Sequence, residues 1–156
     1  MATAKTKEFE IFTTIEASAA GATATIDLND FVEVADMEAF GLEAVEIVLN
    51  TDVADPSTSI YRAQLATENL GSGFISHASY NSLYLTYVNA PQGWSQESLS
   101  LGDTSGIRYI PGGTLYIRAD RETAATNQDL AVRLTGKIAK LSAKDYMALA
   151  LTKASN

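Results

Sequence analysis

His77 is the only histidine in the chain, and it stands in Gly73-Phe74-Ile75-Ser76-His77-Ala78-Ser79 with hydroxyls on both sides. A histidine near a serine suggests nucleophilic catalysis, which needs the pair in contact and a third group to orient the ring. No G-x-S-x-G elbow follows a strand, and an alternating antiparallel chain is a poor host for one. His77 therefore reads as a loop histidine bonded to backbone or water. Carboxylates are plentiful, but glycosidase chemistry requires two of them about 5–10 Å apart across a cleft. Glu8, Glu10 and Glu16 fall on one face of a strand, and nothing in the sequence marks a cleft. Asn50-Thr51-Asp52-Val53-Ala54-Asp55 offers oxygen ligands for calcium without the spacing of a calcium loop, so turn formation is the simpler role. Gly71-x-Gly73 and Gly112-Gly113 lack the helix and lysine of a phosphate-binding loop. The absence of cysteine excludes disulfides, thiol catalysis and thiolate metal sites, and a single histidine excludes His-pair zinc sites. No catalytic set, metal or cofactor is expected.

With chemistry set aside, the outward apolar side chains carry the functional signal. Phe12, Val48, Tyr84, Val88, Ile110 and Tyr116 fall opposite the expected core rows. Tyrosine is large and rigid with a polar tip, which suits an interface. There are seven tyrosines, with Tyr80, Tyr84 and Tyr87 around one strand and Tyr109 and Tyr116 bracketing a turn. Trp94, the only tryptophan, is expected on a long loop as an anchor or as a lid over the sheet edge. Near the C-terminus, Ala143, Met147, Ala150 and Leu151 form a helical stripe with Tyr146 and Leu149 beside it. Such a terminal helix either packs on its own domain or is exchanged with a neighbour. The expected interface residues are Trp94, Tyr84, Tyr116, Phe12, Tyr146, Met147 and Leu149.

The elements that position these residues follow from a two-residue rhythm. Phe9, Ile11, Thr13 and Ile15 alternate with Glu8, Glu10, Thr14 and Glu16. The pattern returns over 22–28, 42–50, 59–67, in the row Leu83, Leu85 and Tyr87, over 107–110 and 114–119, and most clearly over 129–139. Pro111-Gly112-Gly113 signals a hairpin. Asp30 and Glu33 suggest a capped short helix near 31–40, stopped by Gly41. Ser142 and Asp145 resemble a capping pair for a helix near 143–153.

The fold expected is all-β: an antiparallel, eight-stranded β-sandwich of the jelly-roll type. Long connections favour crossings between sheets over a meander. An immunoglobulin-like sandwich is the next choice, but it wants a buried tryptophan in a middle strand. At 156 residues one domain is expected, with a flexible arm over 1–7, the sandwich over 8–140 and a helix and tail over 141–156.

The composition is 46% hydrophobic and 19% charged, with a formal net charge of −8. That argues against a free-standing nucleic-acid binder, which shows a basic face. The charge is uneven: residues 1–55 hold twelve acidic and two basic side chains, the remainder seven and nine. Copies of the chain could thus meet through unlike surfaces. Lys5 and Lys7 make the arm only weakly basic. The start, MATAKTKEFEIF, has no apolar run suited to a signal peptide, and no stretch approaches the length of a membrane span. A protein made and kept in the cytoplasm is expected.

An extended start, then Ile26-Asp27-Leu28 and the Phe31, Val32 and Val34 stretch, lead into eight short strands, long loops and an amphipathic tail. With no cysteine and abundant Ala, Thr and Ser, this organisation resembles the single jelly-roll capsid proteins of icosahedral viruses. The resemblance spans the whole chain in architecture and includes no diagnostic motif. It implies a structural protein that self-assembles into capsomers and resides in the virion after synthesis in the host cytoplasm. It also implies termini that touch neighbours, other virion proteins, the genome or an internal membrane. Capsid proteins that package RNA directly carry a long basic arm. Lys5 and Lys7 are no substitute, so strong direct nucleic-acid binding is not expected. The competing reading is a non-catalytic β-sandwich module that binds carbohydrate or a protein on Trp94 and the tyrosines.

Overall fold

The computed structural model describes residues 2–49, 60–89, 95–100, 107–122 and 127–154. Two antiparallel five-stranded sheets face each other. In the first, β10 (Gln128–Lys140) lies between β4 (Glu38–Leu49) and β2 (Phe9–Ala17). The two-residue β1 (Thr3–Ala4) pairs with the end of β10, and β8 (Arg108–Ile110) with the start of β4. The second sheet runs β3 (Ala22–Asp27), β9 (Thr114–Arg121), β5 (Ile60–Ala66), β6 (Ser82–Asn89) and β7 (Ser95–Ser100).

The alternation of β10 explains its central place. Leu130, Val132, Leu134 and Ile138 are buried between the sheets, and Arg133 points to water. They meet Ile15 and Ala17 of β2, Ile47 of β4, Ala63 and Leu65 of β5, and Leu115, Ile117 and Ala119 of β9 in one core. Gly136 is required by close approach: a Cβ there would stand 2.3 Å from the Gly41 carbonyl oxygen, where the β10–β4 register slips.

The all-β, two-sheet expectation holds, and four local expectations need correction. Residues 31–40 contain no α-helix. Instead, single 3₁₀ turns occupy Leu28–Asp30 and Val34–Asp36, and Phe40 already lies in β4. Asp27, not Asp30, caps the first turn by accepting from the Asn29 N–H at 2.9 Å. β-Branched Val32 and Val34 suit a helix poorly, and Met37 ends the second turn at φ 58°. Pro111-Gly112-Gly113 makes no hairpin: β8 pairs in one sheet and β9 in the other. Gly112 and Gly113, at φ 81° and 86°, turn the chain across the sandwich, and Asn29 Oδ1 accepts from Gly113 N at 3.1 Å.

The third correction concerns phase. In β6 Leu83 joins the core as expected, but so does Tyr84, opposite Leu65 of β5; Thr86, opposite Ala63, is buried as well, and Tyr87 of the expected row is exposed. Leu83-Tyr84-Leu85-Thr86-Tyr87 is apolar on both faces, so periodicity could not select one. Fourth, the long loop expected to carry Trp94 is not all loop, because Ser95–Ser100 form β7.

The C-terminal helix is present as α1 (Ala143–Ala154). Ser142 Oγ accepts from Asp145 N at 3.2 Å, which is the expected cap. Among the described residues, no helix is long and apolar enough to cross a membrane.

Candidate assembly surface

The residues singled out for chemistry serve the fold. His77 Nδ1 lies 3.0 Å from Ser82 Oγ, but Ser82 is fully buried and already accepts from Gln64 Nε2 at 2.8 Å. The ring's tautomer sets which of the two donates, and burial pushes the His77 pKa down, which favours the neutral ring. Gln64 also holds the Ile75 backbone at both ends, accepting from its N–H and donating to its carbonyl, each at 3.0 Å. Ser76 and Ser79 accept from Ala78 N and Asn81 N, each at 3.2 Å. Phe74 lies beneath two guanidinium groups, 5.0 Å from Arg62 and 5.9 Å from Arg118. The segment from Gly71 to Asn81 is thereby locked over the outer face of the second sheet. Among the described residues no cluster of three metal-ligating side chains occurs. Asn50–Asp55 lies outside the described residues.

The carboxylates of β2 are part of a surface charge ladder. Arg133 lies 3.8 Å from both Glu10 and Glu46, and its guanidinium is 5.6 Å from the Phe12 ring. Glu43 sits between Lys137, at 3.2 Å, and Glu8. The hydrogen bond to Glu43 pushes the Glu8 carboxyl pKa up, and that same bond, with Lys137 second, pulls Glu43 down.

The expected interface residues separate. Tyr84 is a core residue, only 7% exposed, so its assignment to an outer face is corrected by the phase of β6. Ile110 is likewise buried. Tyr116 is half-buried. Phe12 stands 53% exposed on the first sheet. Trp94 lies outside the described residues. The arm is not free along its length: Thr3 and Ala4 pair with β10, Lys5 N donates to Ile138 O at 2.8 Å, and the Lys5 ammonium binds Glu38. Lys7 is exposed.

Tyr146, Met147 and Leu149 belong to α1 and split by direction. Tyr146 donates its hydroxyl to Pro111 O at 3.3 Å, and Leu149 packs near Tyr109 and Pro111. Tyr146 and Ala150 line a cleft of about 590 Å³ against Val34, Asn29 and the Pro111–Gly113 turn. A quarter-turn round the helix, Met147 and Leu151 are 59% and 62% exposed.

Across the cleft lies a surface that sequence reasoning missed. Phe31 and Val34 are exposed among Asp30, Glu33 and Asp36. The signal was available in the mixture Asp30-Phe31-Val32-Glu33-Val34-Ala35-Asp36, but a helix would have buried one side of it. Only Val32 is buried within that run.

The sequence matches no protein-family model and no curated protein.

Proposed function

We propose that the chain is a non-enzymatic structural protein that assembles with copies of itself into an oligomeric shell, its sandwich a jelly roll of the kind viral capsid proteins use. The strand pairing supports the jelly-roll reading. With the short β1 and the edge strand β7 set aside, the pairs β2–β10, β3–β9, β4–β8 and β5–β6 nest one inside the next. That is one long antiparallel hairpin, rolled so that β10 also meets β4 and β9 also meets β5. Eight strands take part in the nest.

The observation that carries assembly is the exposure of α1. The buried core runs from Ile15 to Ile138 and closes without the helix, which leaves Met147 and Leu151 in water. A terminal element carrying bare apolar side chains beyond a finished core is suited to a neighbouring subunit. The competing binding-module reading asks for an open aromatic platform. The outer face of the second sheet is instead covered by the chain's own Phe74 and Ile75.

Size-exclusion chromatography with light scattering, followed by electron microscopy of the purified protein, tests the proposal. Regular capsomers or larger shells are expected. A clean monomer at tens of micromolar, with tryptophan fluorescence responding to sugars, would replace this reading by the binding module.

A further inference from the structure

We propose that the exposed face of α1, bearing Lys144, Met147 and Leu151, docks on the acidic and apolar surface Asp30–Asp36 of a second copy of this chain. The inference rests on the assembly reading and names the contact that makes it.

Positions 144, 147 and 151 share one helix stripe, so a cation and two apolar side chains face the same way. All three are exposed, and Lys144 has no ion pair among the described residues. The acidic surface has the matching composition. Phe31 and Val34 stand exposed, flanked by Asp30, Glu33 and Asp36. The cation beside them, Lys5, bonds directly to Glu38 and reaches Asp36 and Glu33 only through its field, so none of the three carboxylates makes a direct ion pair among the described residues. The surface is rigid where it must be. Phe31 stacks on Phe9 at 6.0 Å, and Asn29 ties the first 3₁₀ turn to Gly113.

The molecule's own helix does not reach this surface with that stripe, because Tyr146 and Ala150 are the side chains turned toward Val34. Val34 lines the cleft opposite Tyr146 and Ala150, and the stripe lies a quarter-turn round the helix from those two, so a two-fold axis lets each copy place its helix on the other's acids. A twelve-residue helix is about 18 Å long. One helix face falls short of the ~800 Å² per partner of a typical stable pair, and the reciprocal arrangement doubles it.

The experiment uses the full chain and reads self-association by sedimentation, with circular dichroism to verify folding. Lys144→Glu and Glu33→Lys are each expected to weaken association about tenfold or more, since like charges then face each other. Glu33 makes no side-chain cap bond, so its exchange spares the turn. Met147→Ser with Leu151→Ser is expected to weaken association about a hundredfold, from two apolar side chains left in water. Mixing the Lys144→Glu and Glu33→Lys proteins in equal amounts should restore association, as should combining both changes in one chain. Folded variants that associate like wild type, or a mixture that fails to recover, would overturn this contact and leave the assembly reading standing. A wild-type monomer would overturn both. If that monomer sediments with anionic vesicles, the helix face meets a membrane instead.

Discussion

Lys5 and Glu38 close the N-terminal arm onto the start of β4. The Lys5 ammonium binds one Glu38 oxygen, and the other oxygen accepts from Glu33 N at 2.8 Å. The contact thus joins three parts of the chain: the arm, the acidic turn and the first sheet. It also makes the arm pH-sensitive. The hydrogen bond to Glu38 raises the Lys5 pKa above its ordinary 10.5. The bond from Lys5, then that from Glu33, pulls Glu38 below its ordinary 4.5. A raised lysine stabilises below its unfolded value and loses that contribution as pH rises through the folded one. A lowered carboxyl stabilises above its unfolded value and loses that contribution as pH falls through the folded one. The pair therefore holds between roughly pH 4.5 and 10.5. The protection of the Lys5 and Ile138 amides, taken relative to their intrinsic exchange rates, should be high at pH 7 in the wild type, lower in acid below Glu38's folded value, and low at pH 7 in Lys5→Met. Unchanged protection in Lys5→Met would mean that the backbone pairing of β1 holds the arm alone.

Glu8 and Glu43 act in the opposite sense. Glu8 binds its proton more tightly when folded, through the bond to Glu43, so its contribution to stability fades as pH rises through the raised value. A glutamine at position 8 offers the same hydrogen bond at every pH. Glu8→Gln is therefore expected to match or exceed the wild-type melting temperature at pH 7. The gap should narrow on acidification toward the range where wild-type Glu8 is itself protonated. A melting curve lowered at pH 7 as far as that of Glu8→Ala would show that the amide does not replace the shared proton.

The pattern of apolar residues was readable where a strand has one wet face. β10 and β2 alternate cleanly because Arg133, Glu10 and Glu16 mark the solvent side, and their two-sheet consequence followed. It was unreadable where both faces are covered. In β6 the second sheet's outer face lies under Phe74 and Ile75, so Leu85 needs no polar neighbour and the phase is hidden. The Pro-Gly-Gly turn misled for a related reason. Its sequence specifies a reversal, but only long-range pairing decides whether the two strands rejoin or part. At the candidate surface, the helical stripe read from spacing splits: Ala150 lines the cleft, and Met147 and Leu151 face water. The acidic half depended on Val32 alone being buried in its run, and that is a tertiary outcome.

Arg118 is 8% exposed and makes no ion pair among the described residues. Its Nη1 donates to Gly71 O and its Nη2 to Ala20 O, each at 3.2 Å. It thereby pins the cover segment and the turn before β3 to one strand. Arg118→Met keeps much of the apolar stem and removes both bonds. The expected loss is about 2–3 kcal/mol, within the range for hydrogen bonds to charged groups. Urea denaturation measures the loss, and limited proteolysis should then cut near Gly71 before elsewhere. A variant as stable as wild type and uncut near Gly71 would leave Gln64 and its two Ile75 bonds as the principal lock.

Removing residues 142–156 separates folding from association. Among the described residues, Leu141 is the last one buried in the body, tied through its N–H to Met37 O at 3.0 Å, and the core cluster contains none from α1. The truncated chain forfeits the Tyr146 bond to Pro111 and the packing of Leu149, so its melting temperature should fall by only a few degrees, about what ~1 kcal/mol does at this size. Association should fall far more, because Lys144, Met147 and Leu151 leave together. Salt sorts what remains. Charge contacts between the acidic turn and Lys144 weaken toward 1 M, where the Debye length is about 3 Å, while Met147 and Leu151 are spared. Wild-type association that declines with salt and vanishes in the truncation identifies both halves of the contact. Outright unfolding of the truncated chain would place α1 within its own core.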